Sequence, residues 1–224
     1  RFRLNAGLTP KGEIYGGWES RGASGHTLGH YLSACAMMYA ASGDKRFKER
    51  VDYIVKELAE CQDARKTGDV GGIPDEDKIW AEVSSGDIRS QGFDLNGGWV
   101  PWYTLHKLWA GLIDAYRYAG SEQAKEVGTK LSDWAVRSFG DLSEEDFQKM
   151  LACEFGGMNE SFADMYAITG NESYLKLARQ FYHKAILDPL KEQRDELEGK
   201  HSNTQVPKII GEARLYELTG DKNM

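Results

Sequence analysis

The chain has 224 residues with a net charge of −7, and its 28 Lys and Arg against 35 Asp and Glu leave no basic stripe. That length suits one sizeable domain, and the charge argues against a nucleic acid or an anionic membrane surface as partner. The three cysteines, Cys35, Cys61 and Cys153, are odd in number and far apart, so no disulfide framework is indicated; no apolar run is long enough for a transmembrane helix.

In chain order, the first twelve residues, RFRLNAGLTPKG, lack the apolar core of a signal peptide. A helix is then expected from GHTLGHYLSA (25–34), where Leu32, Cys35, Ala36 and Tyr39 repeat at helical spacing. It ends at MYAASGD, and Phe47, Val51, Ile54, Val55 and Leu58 mark a second helix. A long connection follows over 64–98, with seven glycines and Trp80 and Phe93. WVPWYTLHK (99–107) opens the next helix, on which Leu105, Leu108, Trp109 and Leu112 form the apolar stripe before YRYAGSEQA. FGGMNESFAD (155–164) opens a third pair, turned at MYAITGNESYL, with Tyr174, Leu177, Ala178, Phe181 and Tyr182 on the returning helix. KHSNTQVPK (200–208) opens a last helix that closes at LYELTGD.

The turns repeat. Their glycines stand at 43, 120, 170 and 220, each followed by Asp, Ser or Asn. Glycine closes one helix in the left-handed conformation and the next residue caps its successor. No segment alternates with period two. The reading is all-α: stacked helical hairpins, about three and a half of them, belonging to an open solenoid or a closed α/α toroid. A six-hairpin ring would need on the order of 300 residues or more at this spacing. The expectation is therefore a single partial domain over 1–224, the N-terminal part of a larger catalytic domain.

Turns within a hairpin are short, whereas the connections at 64–98, 139–157 and 188–204 are long. All the long ones fall at the end where the first helix of each hairpin begins. Four of the five histidines, His26, His30, His106 and His201, lie in those opening turns, and Pro101 and Pro207 suit a first helical turn. Helix N-termini also offer N–H groups to hydroxyl or carboxylate oxygens. A shared pocket explains the clustering. Each piece has a structural alternative. His26 and His30 are spaced for zinc but have no third ligand nearby. His106, Trp102 and Tyr103 would equally pack between helices. Glu160 would equally favour its helix N-terminus, and His201, Asn203 and Gln205 would equally form a capping cluster. Glu154 and Glu160 resemble a glycosidase carboxylate pair but come from one short stretch.

GHTLGHYLSACAMMYAASGD, WVPWYTLHKLWAGLIDAY, EFGGMNESFADMYAITGN and HSNTQVPKIIGEARLYELTGD together resemble successive motifs of the β-L-arabinofuranosidase-like glycoside hydrolases, in order along nearly the whole chain. The resemblance implies an (α/α)6 barrel with a sugar pocket at the N-terminal ends of its inner helices. It implies retaining hydrolysis of terminal β-L-arabinofuranosides by a zinc-held cysteine thiolate, with a glutamate as acid/base. Those groups belong to later hairpins, so the nucleophile and the acid/base are expected beyond Met224. None of the three cysteines here stands in such a motif. No catalytic residue, metal ligand or cofactor is therefore expected within this chain, although zinc is expected in the full-length protein. His30, His106, Glu160, His201 and Gln205 would bind sugar hydroxyls, and Trp99, Trp102 or Tyr103 would stack on the sugar.

The partner implied is an arabinose-containing glycan, and the compartment is exported by resemblance alone. The isolated chain is expected to be inactive and to self-associate through uncovered barrel flanks. Another toroid carbohydrate enzyme, such as an unsaturated-uronide hydrolase or a sugar epimerase, would carry its acid/base residues in these first hairpins. A non-catalytic repeat scaffold would show a broad concave face rather than histidines gathered at one rim.

Overall fold

The computed structural model describes residues 1–222. Met224, beyond which the sequence reading expects the nucleophile and the acid/base, lies outside the described residues. Two short helices, α1 (Phe2–Asn5) and α2 (Trp18–Arg21), precede the first hairpin, α3 (His26–Ser42) and α4 (Lys45–Arg65). After α5 (Glu76–Ser84) comes a small antiparallel meander of β1 (Ser90–Gln91), β2 (Asp94–Leu95) and β3 (Gly98–Trp99). The second hairpin is α6 (Pro101–Ala119) and α7 (Glu122–Phe139), followed by α8 (Glu144–Met150). The third is α9 (Met158–Thr169) and α10 (Glu172–Gln180); α11 (Lys184–Lys191) and α12 (Ser202–Thr219) complete the described chain.

The hairpin turns form as the sequence requires. Gly43, Gly120, Gly170 and Gly220 all take the left-handed conformation, with φ of 68°, 63°, 72° and 69°. Asp44, Ser121 and Asn171 then accept a backbone N–H with their side chains and start α4, α7 and α10. Each turn reverses the chain, so the first helices of successive hairpins run in the same direction. α3 packs on α6, α6 on α9 and α9 on α12; α4, α7 and α10 form the second layer behind them. The result is an arc of an α/α toroid, with α3, α6, α9 and α12 inside.

Close approach within the inner layer depends on glycine. A β-carbon built on Gly29 would lie 2.2 Å from the Lys107 carbonyl oxygen, and one on Gly111 would lie 2.7 Å from the Gly29 carbonyl oxygen. Asp164 then ties three inner helices together. It takes a two-pronged bond from Arg117 on α6, at 2.7 and 2.8 Å, and another from Arg214 Nε on α12 at 2.8 Å.

The core lies between the layers. It contains the expected stripes, including Leu32, Val51, Leu58, Leu105, Leu112, Leu177 and Phe181. Trp80, Trp102, Trp109, Trp134 and Phe139 join them through edge, tilted and stacked ring contacts. At the ends of the arc, α3 exposes Tyr31, Met37 and Met38, and α12 exposes Val206, Ile209, Ile210 and Tyr216.

Three features depart from the sequence reading. The 64–98 connection contains α5 and the meander, although no two-residue alternation announces strands this short. The returning helix, expected to run through Phe181 and Tyr182, breaks after Gln180, so that His183 stands at the N-cap of α11. Pro207 sits in the second turn of α12 rather than the first, because the helix begins at Ser202.

Gly29→Ala should cost roughly 3 kcal/mol or more of stability, since the methyl meets backbone that has no room to yield. Gly128→Ala in α7 meets only ordinary contacts at 3.6 Å or more, and should gain up to about 1 kcal/mol from helix propensity. Urea denaturation of the two variants checks both signs.

Candidate functional site

The four inner helices present their first turns at one end of the arc. At α3, the start is capped from outside: Glu19 on α2 accepts the backbone N–H of Gly25 at 2.7 Å and of Thr27 at 2.9 Å. The chain's own carboxylate thus occupies that helix N-terminus. The same Glu19 carboxylate lies 2.9 Å from His26 Nδ1, which also stands 2.6 Å from the Ala23 carbonyl oxygen. His26 is therefore a packed residue that orders this turn. His30, one turn on, is exposed, its ring 6.2 Å from that of His26. Partial desolvation of the ring, then Lys107 and His26, lower its pKa.

Lys107 is the hub, and no motif in the sequence singles it out. Its ammonium lies 4.5 Å from the centre of the Tyr103 ring and 3.1 Å from His106 Nδ1. It feels both Glu154 and Glu160, whose charges oppose the depression of its pKa by burial. His106 is buried, and the Gly157 N–H also donates to its Nδ1 at 3.2 Å. Burial, with Lys107 and His30 adding to it, holds His106 well below the usual imidazole range, so the ring is neutral.

Gly156, at φ 61°, and Gly157 leave space for that ring. A β-carbon on Gly156 would lie 2.5 Å from Nδ1; one on Gly157 would lie 3.1 Å from His106 Nε2 and 3.3 Å from Glu160 Oε2. His106 and Glu160 therefore face the same point. Burial raises the Glu160 pKa and Asp164 adds to this, while Arg214 and Arg117 oppose it.

A second cluster adjoins through Glu154. The meander positions this residue: the Glu154 N–H donates to the Gly92 carbonyl at 2.8 Å, tying the loop before α9 to the β1–β2 turn. Glu154 is buried, acts on Tyr103 and Lys107, and also favours the charged form of Lys208. Lys208 is only 1% exposed. Its ammonium reaches His183 Nδ1 at 2.7 Å and Gln205 Oε1 at 2.9 Å, over the Phe155 ring. Burial, reinforced by Lys200, brings the Lys208 pKa down to about 8, and burial next to Lys208 brings that of His183 to about 3. His201 stands at the N-cap of α12, with Nδ1 2.8 Å from Thr204 Oγ1 and its ring edge-on to Phe93.

The aromatic residues divide. Trp99 is half-buried and edge-on to Trp18 at 5.5 Å, and Tyr103 is half-buried beside His26. With Phe93, Trp99 borders an open depression of about 430 Å³ at this end of the arc. Trp102 corrects the expectation that it stacks on a sugar. It is 1% exposed, packed against Trp80, Trp109, Phe139 and Phe181, and its indole N–H points at Met150 Sδ. It begins a helix, but it points into the core. A larger cavity of about 550 Å³, lined by Phe147, Arg179 and Tyr182 among others, lies in the outer layer and holds none of the candidate residues.

The residues present do not fit zinc. Cys35, Cys61 and Cys153 are each buried and unpaired, and burial pushes the Cys153 thiol up to about 12. Among the described residues, no three His, Cys, Asp or Glu side chains are grouped to hold a metal ion. No helix there is long and apolar enough to cross a membrane.

Parallel inner helices gather histidines, carboxylates and aromatic side chains at one mouth of an α/α toroid arc, and the family match places the chain among the glycoside hydrolases. Its family is defined along its whole length: residues 1–224 match the β-L-arabinofuranosidase GH127 catalytic domain, and the chain is a member of that family. The fold is similar to that of a GH127 β-L-arabinofuranosidase from Geobacillus stearothermophilus T6, with a TM-score of 0.67 and 16% identity over 99% of this chain and 36% of that one. A second solved GH127 β-arabinofuranosidase gives a TM-score of 0.61 and 15% identity over 99% of this chain and 35% of that one. The chain thus spans about a third of the length of these solved relatives. No curated protein sequence shows a significant match.

Lys208 gives the site a pH signature. The unfolded chain holds this proton to about 10.5 and the folded chain only to about 8. Between those values the unfolded state binds more protons, so stability rises with pH, by about 3 kcal/mol for this group. Denaturation at pH 7.5 and 10.5 should show that rise in the native chain and its loss in Lys208→Met.

Proposed function

We propose that this chain supplies the sugar-binding half of the pocket in a glycoside hydrolase that releases terminal β-L-arabinofuranosyl groups from an arabinose-containing glycan with retention. The observation that carries the reading is the meeting of His106, Glu160 and Lys107 around Gly157, beside His30 and Glu154, at the mouth shared by the inner helices. Neutral imidazole and carboxylate side by side suit a hydroxyl, which both donates and accepts. His30, His201 and Gln205 extend the polar rim, and Trp99 and Tyr103 offer ring faces to the sugar. The thiolate nucleophile, its zinc and the acid/base glutamate would come from outside residues 1–224, beyond Met224. On this reading the chain alone binds without turning over.

Titrating the isotope-labelled chain with methyl β-L-arabinofuranoside should perturb the signals of His106, Gly157 and Glu160. His106→Ala and Glu160→Gln should each weaken binding roughly tenfold. Saturating sugar with no perturbation there would overturn the reading, as would release of arabinose by the chain with zinc added.

The exposed apolar faces of α3 and α12 support self-association of the isolated chain. Sedimentation velocity should show a mass that rises with concentration; a concentration-independent monomer rejects this.

A further inference from the structure

Histidine and glutamine are ambivalent. Each can offer a ligand a donor or an acceptor, depending on the proton or amide orientation it adopts. At this mouth two lysines remove that freedom. An ammonium only donates, so the atom it bonds must be an acceptor. Lys107 Nζ lies 3.1 Å from His106 Nδ1, and the Gly157 N–H donates to the same nitrogen at 3.2 Å. Two donors aimed at one nitrogen leave Nδ1 without a proton. The ring is neutral, so its proton sits on Nε2, the nitrogen that faces the point shared with Glu160 Oε2.

Lys208 repeats the arrangement. Its Nζ lies 2.7 Å from His183 Nδ1 and 2.9 Å from Gln205 Oε1. His183 must then carry its proton on Nε2, and the amide of Gln205 must turn its oxygen toward the lysine and its NH₂ away. Both ammonium groups are under the influence of Glu154, which favours their charged, donating form.

We propose that Lys107 and Lys208 are positioning residues that fix the hydrogen-bonding polarity of the mouth: His106 through Nε2 and Gln205 through its NH₂ act only as donors, and the acceptors are the glutamates. A ligand at this site must therefore bring oxygen lone pairs to His106 and Gln205 and a hydroxyl proton to Glu160. A vicinal diol or a hydroxyl beside a ring oxygen meets that demand, and a cationic or donor-only group does not. The lysine locks stand independently of the sugar reading; the ligand specification rests on it.

The test is a long-range ¹H–¹⁵N correlation spectrum of the histidine rings in the unliganded chain at pH 7. Expected are His106 and His183 each as one neutral tautomer, with bare Nδ1 and protonated Nε2. Lys208→Met should convert His183 to a tautomer mixture and leave His106 unchanged, and Lys208→Arg should restore the single tautomer; Lys107→Met should shift the His106 Nδ1 resonance without moving the proton, because the Gly157 N–H still donates there. A proton on Nδ1 of either ring in the native chain overturns the proposal without any variant having to fold. So does Lys208→Met with an unaltered His183 pattern. Failure of the sugar reading would look different: correct tautomers, but no perturbation when methyl β-L-arabinofuranoside is added.

Discussion

Helices of one ring share a mouth only if they run in the same direction and lie close together, and in this chain glycine provides the closeness. Gly29 admits the Lys107 carbonyl, Gly111 admits the Gly29 carbonyl, and Gly211 leaves room for Asn159, whose amide bonds the Lys208 carbonyl and Glu212 of α12. These contacts set the spacing of α3, α6, α9 and α12 at the end where the polar residues gather. Asp164 fixes α6, α9 and α12 further along, through guanidinium groups from α6 and α12. The positions of Lys107 and Lys208 follow from that spacing. Each stands in the second turn of its helix, on either side of α9, and both feel the charge of the same buried Glu154.

Electrostatics at the mouth are governed by exclusion of water. Burial drives His106 and His183 toward neutrality, and the nearby lysines push the same way. Burial lowers both lysines too, and Glu154 opposes it at each. The charge of this buried carboxylate offsets part of the desolvation of each ammonium. Charged groups therefore hold the neutral ones in order, a division of labour that composition alone does not reveal.

Much of the fold is legible in the sequence because its punctuation is local. Glycine followed by Asp, Ser or Asn closes one helix and caps the next with no help from the rest of the chain, so the turns at 43, 120, 170 and 220 stand out. The meander at 90–99 is not legible, because two-residue strands carry no periodicity and are held by contacts such as Gly92 with the 153–154 backbone. In the site, His30, His106, Glu160 and Tyr103 can be picked out from their places in opening turns. Trp102 occupies the same kind of place yet faces inward, since a helix start says nothing about which side of the first turn meets the core. Lys107 and Lys208 escape notice for the opposite reason. A lysine in sequence reads as a solvated side chain, and only tertiary packing shows it desolvated between ring, imidazole and carboxylate.

The packing of the indoles has a practical side. Trp80, Trp102, Trp109 and Trp134 are shut inside the core, whereas Trp18 and Trp99 stand at the mouth with open surface. The six tryptophans thus form two optical populations: a blue-emitting set that reports only whether the arc is folded, and a red-shifted pair that an aqueous quencher reaches. Light emitted by the second pair reports on the surroundings of the rim itself, readable without attaching any label.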